Sequence, residues 1–183
     1  VRCHKKKDAR ITSQLLLDRQ IRDSCSGGKP VVQDLSRQMA PGGILGIVGE
    51  SASGKSTVLK AAMGLLENSR AVTKGDIYYK GQNVTDSREN ELRKLRGPEM
   101  GMIFQNTGDS MGPIRTIEDQ LYESVLEHEK TSRKEIKERA LKLFETMRLT
   151  DGERILKSYP FELSGGMNQR VGIMMAMVPN PRL

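Results

Sequence analysis

A glycine-rich stretch at residues 49–57 constrains this chain more than any other feature. Its sequence, Gly-Glu-Ser-Ala-Ser-Gly-Lys-Ser-Thr, fits the pattern G-x-x-x-x-G-K-[ST]. The apolar run at residues 44–48 precedes it and predicts a buried strand, and apolar residues at helical spacing follow it. A loop between a strand and a helix lets backbone N–H groups and the positive end of the helix surround a phosphate. The pattern therefore predicts a loop that binds nucleotide phosphates.

Individual positions in this loop have separate expected roles. Lys55 is expected to reach the β- and γ-phosphates, and the hydroxyl of Ser56 to ligate Mg²⁺. Thr57 is expected to donate a hydrogen bond on the α-phosphate side of the nucleotide. The residues predicted to hold the phosphates are Gly49, Glu50, Ser51, Ala52, Ser53, Gly54, Lys55, Ser56 and Thr57.

Short strands and amphipathic helices are predicted along the rest of the chain. Strands are expected at residues 76–80 and 100–104, and a short helix or surface segment at residues 91–96. Ile117, Leu121 and Val125 mark one longer helix, and Ser132 with Glu135 fits a capping box that begins the next. A final helix follows residue 164 and ends before the prolines at 179 and 181. Residues 1–30 are polar and are expected to be irregular.

The charge is concentrated at one end. The formal net charge is +7, and residues 1–10 supply four of these charges because five basic residues stand there against Asp8. A short basic tail is usually solvated, so it supports a nucleic-acid partner only weakly. The longest apolar run, at residues 171–178, is far shorter than the roughly 20 residues of a membrane-spanning helix. We therefore expect a soluble, intracellular chain.

Three segments resemble the ATP-binding-cassette (ABC) ATPases. Residues 46–57 resemble the Walker A segment, residues 102–105 the Q-loop, and residues 163–171 (Leu-Ser-Gly-Gly-Met-Asn-Gln-Arg-Val) the signature motif. They occur in family order, and the resemblance covers about residues 31–183. It implies an α/β P-loop NTPase of ABC type, with a mainly parallel core sheet, an antiparallel β part and a helical subdomain at about residues 106–165. Residues 1–30 would form a separate basic segment.

The resemblance also implies roles outside the phosphate loop. Gln105 would contact Mg²⁺ and the attacking water, which makes it a metal ligand with Ser56 and a catalytic residue with Lys55. The signature motif would contact the γ-phosphate of an ATP molecule held by the opposite subunit. Its expected nucleotide-binding residues are Ser164, Gly165, Gly166 and Gln169.

The implied function is solute uptake driven by ATP with Mg²⁺. Glu50, Ser51 and Met167 are similar to the peptide/nickel importer branch of the family. The implied partners are transmembrane permease subunits and a second ATP-binding subunit, identical or paralogous, at the cytoplasmic face of the membrane. No nucleic-acid partner is expected. Two alternatives remain: an ABC protein that acts on nucleic acid or ribosomes, and another P-loop enzyme such as a kinase or a GTPase. The sequence lacks the Asn-Lys-x-Asp of a GTPase.

The sequence departs from the family at two places. Family members stack an aromatic residue on adenine, but no aromatic residue precedes Tyr78, and Cys25 and Ser26 occupy the expected place. No Walker B Asp, catalytic Glu or switch His follows the signature helix. Residues 15–18 (Leu-Leu-Leu-Asp) resemble a Walker B strand but precede the phosphate loop, and His128 is a poor switch candidate. We therefore expect a C-terminally truncated cassette that by itself binds Mg-ATP weakly or not at all and does not hydrolyse it.

Overall fold

The computed structural model describes residues 15–23, 29–66 and 70–183. The chain divides into two compact units, Val1–Leu92 and Arg93–Leu183. The first unit contains a β-sheet and the phosphate loop, and the second is mainly helical.

The sheet of the first unit is antiparallel throughout its described strands. The long hairpin of β1 and β2 runs from the pair Leu15 and Met39 to the pair Asp23 and Lys29. β1 also pairs with β3 and β4, and β4 pairs with β5. The strands are β1 (Leu15–Asp23), β2 (Lys29–Met39), β3 (Arg70–Lys74), β4 (Ile77–Tyr79) and β5 (Gln82–Asn83).

The expectation of an irregular segment over residues 1–30 is wrong for the part that the structure describes. Residues 15–23 form β1, and residues 29 and 30 begin β2. Residues 15–17 are leucines, residues 18–20 are polar and residue 21 is Ile, so apolar and polar residues do not alternate and the pattern gives no period-2 signal. The strand is defined by its backbone pairing with β2, β3 and β4. Residues 1–14 and 24–28 lie outside the described part, and this applies to Cys25 and Ser26 as well.

The predicted strand at residues 76–80 is confirmed as β4. Lys80 and Gly81 connect it to β5, both with positive φ (47° and 84°), as a two-residue hairpin turn with the twist of the strands requires. Ile77 and Tyr79 are buried. The first unit also contains α1 (Lys55–Ala62), and α2 (Glu89–Leu95) crosses the boundary between the units.

The predicted buried strand at residues 44–48 is wrong. This segment has no strand pairing, and the side chains of Ile44 and Val48 are 100% and 96% exposed. A strand forms only where neighbouring backbone supplies hydrogen bonds. No strand within residues 15–23, 29–66 and 70–183 pairs with this segment, so the apolar run stays at the surface.

The second unit packs four helices around one core. The predicted periodic segments are confirmed as helices, and α5 is an element that the sequence analysis missed. The helices are α3 (Ile117–Leu126), α4 (Arg133–Thr146), α5 (Gly152–Lys157) and α6 (Gly165–Met177). The side chains that are at most 1% exposed in this core are Ile117, Leu121, Val125, Ile136, Ala140, Phe144, Ile155, Leu156, Val171 and Met174.

The predicted capping box at α4 is half formed. The Ser132 hydroxyl accepts a hydrogen bond from the backbone N–H of Glu135 (3.2 Å), as expected of an N-cap. The Glu135 carboxylate instead accepts hydrogen bonds from the Thr131 hydroxyl and from Arg139. A guanidinium provides a stronger, charge-assisted hydrogen bond than a backbone N–H does, which explains the difference.

The predicted strand at residues 100–104 is also wrong as an element, although its first residue is paired. The Gly101 N–H donates to the carbonyl of Leu183 (2.7 Å), and the Leu183 N–H donates to the carbonyl of Glu99 (3.0 Å). These two bonds flank Met100 in the pattern of parallel strands. Met100 is buried, whereas Ile103 and Phe104 are substantially exposed.

No helix in the described ranges is long and apolar enough to cross a membrane.

Candidate functional site

The predicted phosphate loop forms a tight curl that leads into α1. Gly54 adopts a left-handed conformation (φ 87°, ψ 5°) directly before the helix, and Ala52 also has positive φ (63°). The Ser53 N–H donates to the carbonyl of Glu50 (3.3 Å). A Cβ atom on Gly49 would lie 2.8 Å from the Ser53 hydroxyl, so a larger residue there would force that hydroxyl to move. The backbone conformation thus favours glycine at position 54, and the close approach of Ser53 favours it at position 49.

The Lys55 side chain folds back into this loop. Its ammonium group donates to the carbonyl oxygens of Gly49 (2.8 Å) and Glu50 and to the hydroxyl of Ser53 (3.2 Å). These acceptors match the three hydrogens of the ammonium group in number. The loop therefore holds Lys55, its one cationic side chain, at a defined position.

The start of α1 is open to an anion. No side chain caps the helix at Gly54, and its first turn contains no acidic residue. The first N–H groups of a helix have no intrahelical partner and carry its positive partial charge. Ser56 is exposed in this turn, and Thr57 is buried. The arrangement fits a phosphate, and the Ser56 hydroxyl would be the loop's ligand for a Mg²⁺ ion bound with it.

Gln105 lies in an exposed segment whose end is anchored. Gln105 and Asn106 are exposed, whereas Thr107 is buried and its hydroxyl donates to the carbonyl of Phe104 (3.1 Å). Thr107 packs directly against Gly172 of α6. The Gln105 carboxamide is thus presented to solvent next to a fixed point on this helix.

The signature residues lie at the N-terminus of α6. The Ser164 hydroxyl caps the helix by accepting from the Met167 N–H (3.4 Å), and Gln169 is exposed. A Cβ atom on Gly165 or Gly166 would meet no atom within 4 Å, and neither glycine has positive φ. Neither the backbone conformation nor packing against the described part of the chain therefore requires glycine at these two positions.

Two further residues support this region, and the sequence analysis missed both. The Asn168 amide donates to the carbonyls of Pro160 (2.9 Å) and Leu163 (3.3 Å), just before the signature loop. Gly172 gives α6 its contact with Thr107. An isolated glycine inside a helical pattern often has a packing reason, so the sequence did contain a signal for Gly172.

The predicted site residues form two groups. Residues 49–57 form one loop in the first unit, and Gln105, Ser164, Gly165, Gly166 and Gln169 lie in the second. Within the residues that the structure describes, no cluster of three His, Cys, Asp or Glu side chains could hold a metal ion. The roles of Ser56 and Gln105 as Mg²⁺ ligands remain predictions.

Comparison with known proteins places these features in context. The model of the ABC transporter family matches residues 32–183. A probable peptide ABC transporter ATP-binding protein of Sinorhizobium fredii is 41% identical over 143 residues, 78% of this chain and 43% of that protein. A probable D,D-dipeptide transport ATP-binding protein of Escherichia coli is 39% identical over 159 residues, 86% of this chain and 48% of that protein. The chain spans about half the length of these curated relatives.

A solved structure shares the backbone arrangement. It is a dimeric, post-hydrolysis state of the ATP-binding cassette MJ0796 bound to ADP and Pi. The TM-score is 0.78 at 26% sequence identity, over 91% of this chain and 70% of that chain. The similarity therefore extends through both compact units.

Proposed function

The chain belongs to the ABC transporter family, and from that membership we propose that it is an ATP-binding subunit that drives peptide uptake through a separate permease. It binds ATP with Mg²⁺ at residues 49–57. Its place is peripheral, at the cytoplasmic face of the membrane. The peptide assignment rests on the relatives, whose names specify peptide and D,D-dipeptide transport.

One observation carries the nucleotide-binding proposal: the Lys55 ammonium lies inside a curled loop at the uncapped start of α1. A triphosphate needs positive charge together with several N–H donors that converge on one point. Lys55 supplies the charge, and the uncapped first turn of α1 supplies N–H groups without an intrahelical partner. Lys55 would then contact the β- and γ-phosphates, and Ser56 would ligate Mg²⁺.

The exposed signature glycines support a second ATP-binding subunit as partner. Among the described residues, none lies close enough to require glycine at positions 165 and 166, which points to the close approach of an outside group. The Ser164 hydroxyl and the first N–H groups of α6 offer an anion site there. A phosphate of ATP held by the partner's loop fits this chemistry, and the relative with a solved structure is dimeric.

Hydrolysis of ATP is proposed for the assembled transporter. Gln105 would orient the attacking water and contact Mg²⁺, and its exposed position beside α6 suits such a role. The groups that polarise the water would have to come from outside the residues described. The nucleic-acid alternative finds no support in the relatives named above.

The decisive experiment is the binding of Mg-ATP to the protein and to Lys55→Ala, measured by titration calorimetry. We expect Lys55→Ala to weaken binding by at least about tenfold, since a charged hydrogen-bond partner of the phosphates is lost. Lys134→Ala, which removes an exposed lysine of α4, serves as the control and should bind as the wild type does. Equal affinity for all three proteins would contradict the proposal. Uptake of a labelled dipeptide by cells that carry the transporter tests the cargo.

A further inference from the structure

Asn168 holds the backbone that leads into the start of α6. Its side-chain amide donates to the carbonyls of Pro160 (2.9 Å) and Leu163 (3.3 Å), which uses both amide hydrogens. Its backbone N–H donates to the carbonyl of Ser164 (2.9 Å). One residue therefore fixes two consecutive peptide groups, those that follow Leu163 and Ser164.

Residues 163 and 164 of the signature loop are held by packing and hydrogen bonds, whereas residues 165 and 166 are exposed to solvent. The Leu163 side chain is buried, and the Ser164 hydroxyl is held by the Met167 N–H. Gly165 and Gly166 are exposed, with open space where their side chains would project. N–H donors that are aimed in advance bind an incoming anion without reorganisation, so a rigid backbone at residues 163 and 164 is what such a site needs.

The hydrogen bonds that the Asn168 amide donates, and not the space that it fills, explain why an amide stands here. Its oxygen is buried and has no hydrogen-bond partner in the described part of the chain. A Cβ atom on Gly108 would lie 3.6 Å from its nitrogen, so the amide is packed against the segment that follows Thr107. An unpaired buried acceptor is unfavourable, and an apolar side chain could fill the same space without it.

We propose that Asn168 is a positioning residue: it orients residues 164–166 to receive the phosphates of an ATP molecule bound to a second subunit. This inference rests on the proposed function. The side-chain contacts of Asn168 given above are all with residues of the second unit, whereas the proposed nucleotide loop belongs to the first. Its removal therefore affects the association of two subunits around ATP and leaves the first binding of ATP intact.

The test compares two equilibria in the same protein. The probe is a non-hydrolysable ATP analogue with Mg²⁺; its affinity is measured by calorimetry, and the self-association that it induces by analytical ultracentrifugation. The variants are Asn168→Asp, which keeps the shape but removes both donated hydrogens, and the milder Asn168→Ala. Asn90→Asp, at an exposed position of α2, makes the same change of charge as a control.

We expect both Asn168 variants to bind the analogue within about twofold of the wild type and to self-associate at least about tenfold more weakly. Self-association equal to that of the wild type in both variants would overturn the inference. So would a matching loss of affinity for the analogue in Asn168→Ala, since that indicates general unfolding. If the wild type binds the analogue but does not self-associate with it, the partner role fails and this inference fails with it, while the nucleotide-binding proposal stands.

Discussion

Gly172 and Thr107 meet so closely that only a hydrogen atom fits between the helix backbone and the threonine. A Cβ atom on Gly172 would overlap Cγ2 of Thr107 and would lie 2.8 Å from its Cβ atom. Thr107 is buried, and its hydroxyl is tied to the carbonyl of Phe104. Thr107 thus joins the segment that contains Gln105 to α6, and the two pack too closely for any side chain at position 172.

Gly172→Ala is expected to destabilise the protein by roughly 1–3 kcal/mol, because the added methyl group forces Thr107 away from α6. The helix propensity of alanine opposes this by about 1 kcal/mol, which is too little to offset an overlap in the core. Urea unfolding measures the effect. Thr107→Ser removes the overlapping methyl group and keeps the hydroxyl, so it should restore part of the stability in the double variant. Additive effects of the two substitutions would contradict this account.

Gly165→Ala and Gly166→Ala are expected to have the opposite effect on stability. Open space surrounds both positions, so alanine should leave the free energy of unfolding unchanged or raise it by up to about 1 kcal/mol. The same variants should lose ATP-induced self-association, because a methyl group would stand where the partner's phosphate approaches. Urea unfolding and ultracentrifugation together check the prediction. A loss of stability in either variant would show that the glycines have a role inside the chain after all.

Gln120→Ala is expected to loosen residues 112–116. The Gln120 side chain accepts from the Gly112 N–H (2.7 Å) and donates to the carbonyls of Gly112, Arg115 and Thr116. Its loss should cost about 1–3 kcal/mol, since partly buried backbone groups are left unpaired. Hydrogen exchange at Gly112 and tryptic cleavage after Arg115 should both become faster. Glu138→Ala, a truncation at an exposed position of α4, should change neither.

Glu129→Gln is expected to reduce stability in a way that depends on pH. Two hydrogen bonds from Arg139 hold the pKa of the Glu129 carboxyl below its ordinary value. A lowered folded-state pKa stabilises the fold above the unfolded-state value of about 4.3, and this contribution is lost as the pH falls through the folded-state pKa. The pair is partly exposed, so the substitution should cost only about 0.2–1 kcal/mol near neutral pH. The difference should shrink below about pH 4 in urea unfolding, and a constant difference would contradict the mechanism.

The helices could be predicted because their signals are local. Residues at 3.6-residue spacing predict α1, α3, α4 and α6, and the structure buries the expected faces. The fold class, an α/β P-loop NTPase of the ABC type, is confirmed by the solved relative. The strands predicted at residues 44–48 and 100–104 are absent from the structure, because an apolar run does not indicate which backbone lies beside it to supply hydrogen bonds.

The position of the phosphate loop could be predicted from the sequence, but the contacts that support the signature segment could not. The spacing of Gly49, Gly54 and Lys55 predicts the loop and its position before α1. The contact of Gly172 with Thr107 joins segments that are distant in sequence, and the hydrogen bonds of Asn168 to Pro160 and Leu163, although local, depend on how the backbone turns before α6. No sequence pattern indicates the partners of either residue. The roles of residues 49–57, of Gln105 and of the signature residues in nucleotide binding remain predictions.

The hydrogen bonds between Lys55 and its own loop affect both the enthalpy and the entropy of nucleotide binding. An ammonium group that already donates to three oxygens of its own loop exchanges those hydrogen bonds for phosphate oxygens, so the enthalpy of binding contains only the difference. The flexible side chain is ordered before a ligand arrives, so little of its conformational entropy is lost on binding. The loop should therefore discriminate among anions by how much negative charge they bring: a triphosphate displaces the internal acceptors readily, and a singly charged anion of the cell does not.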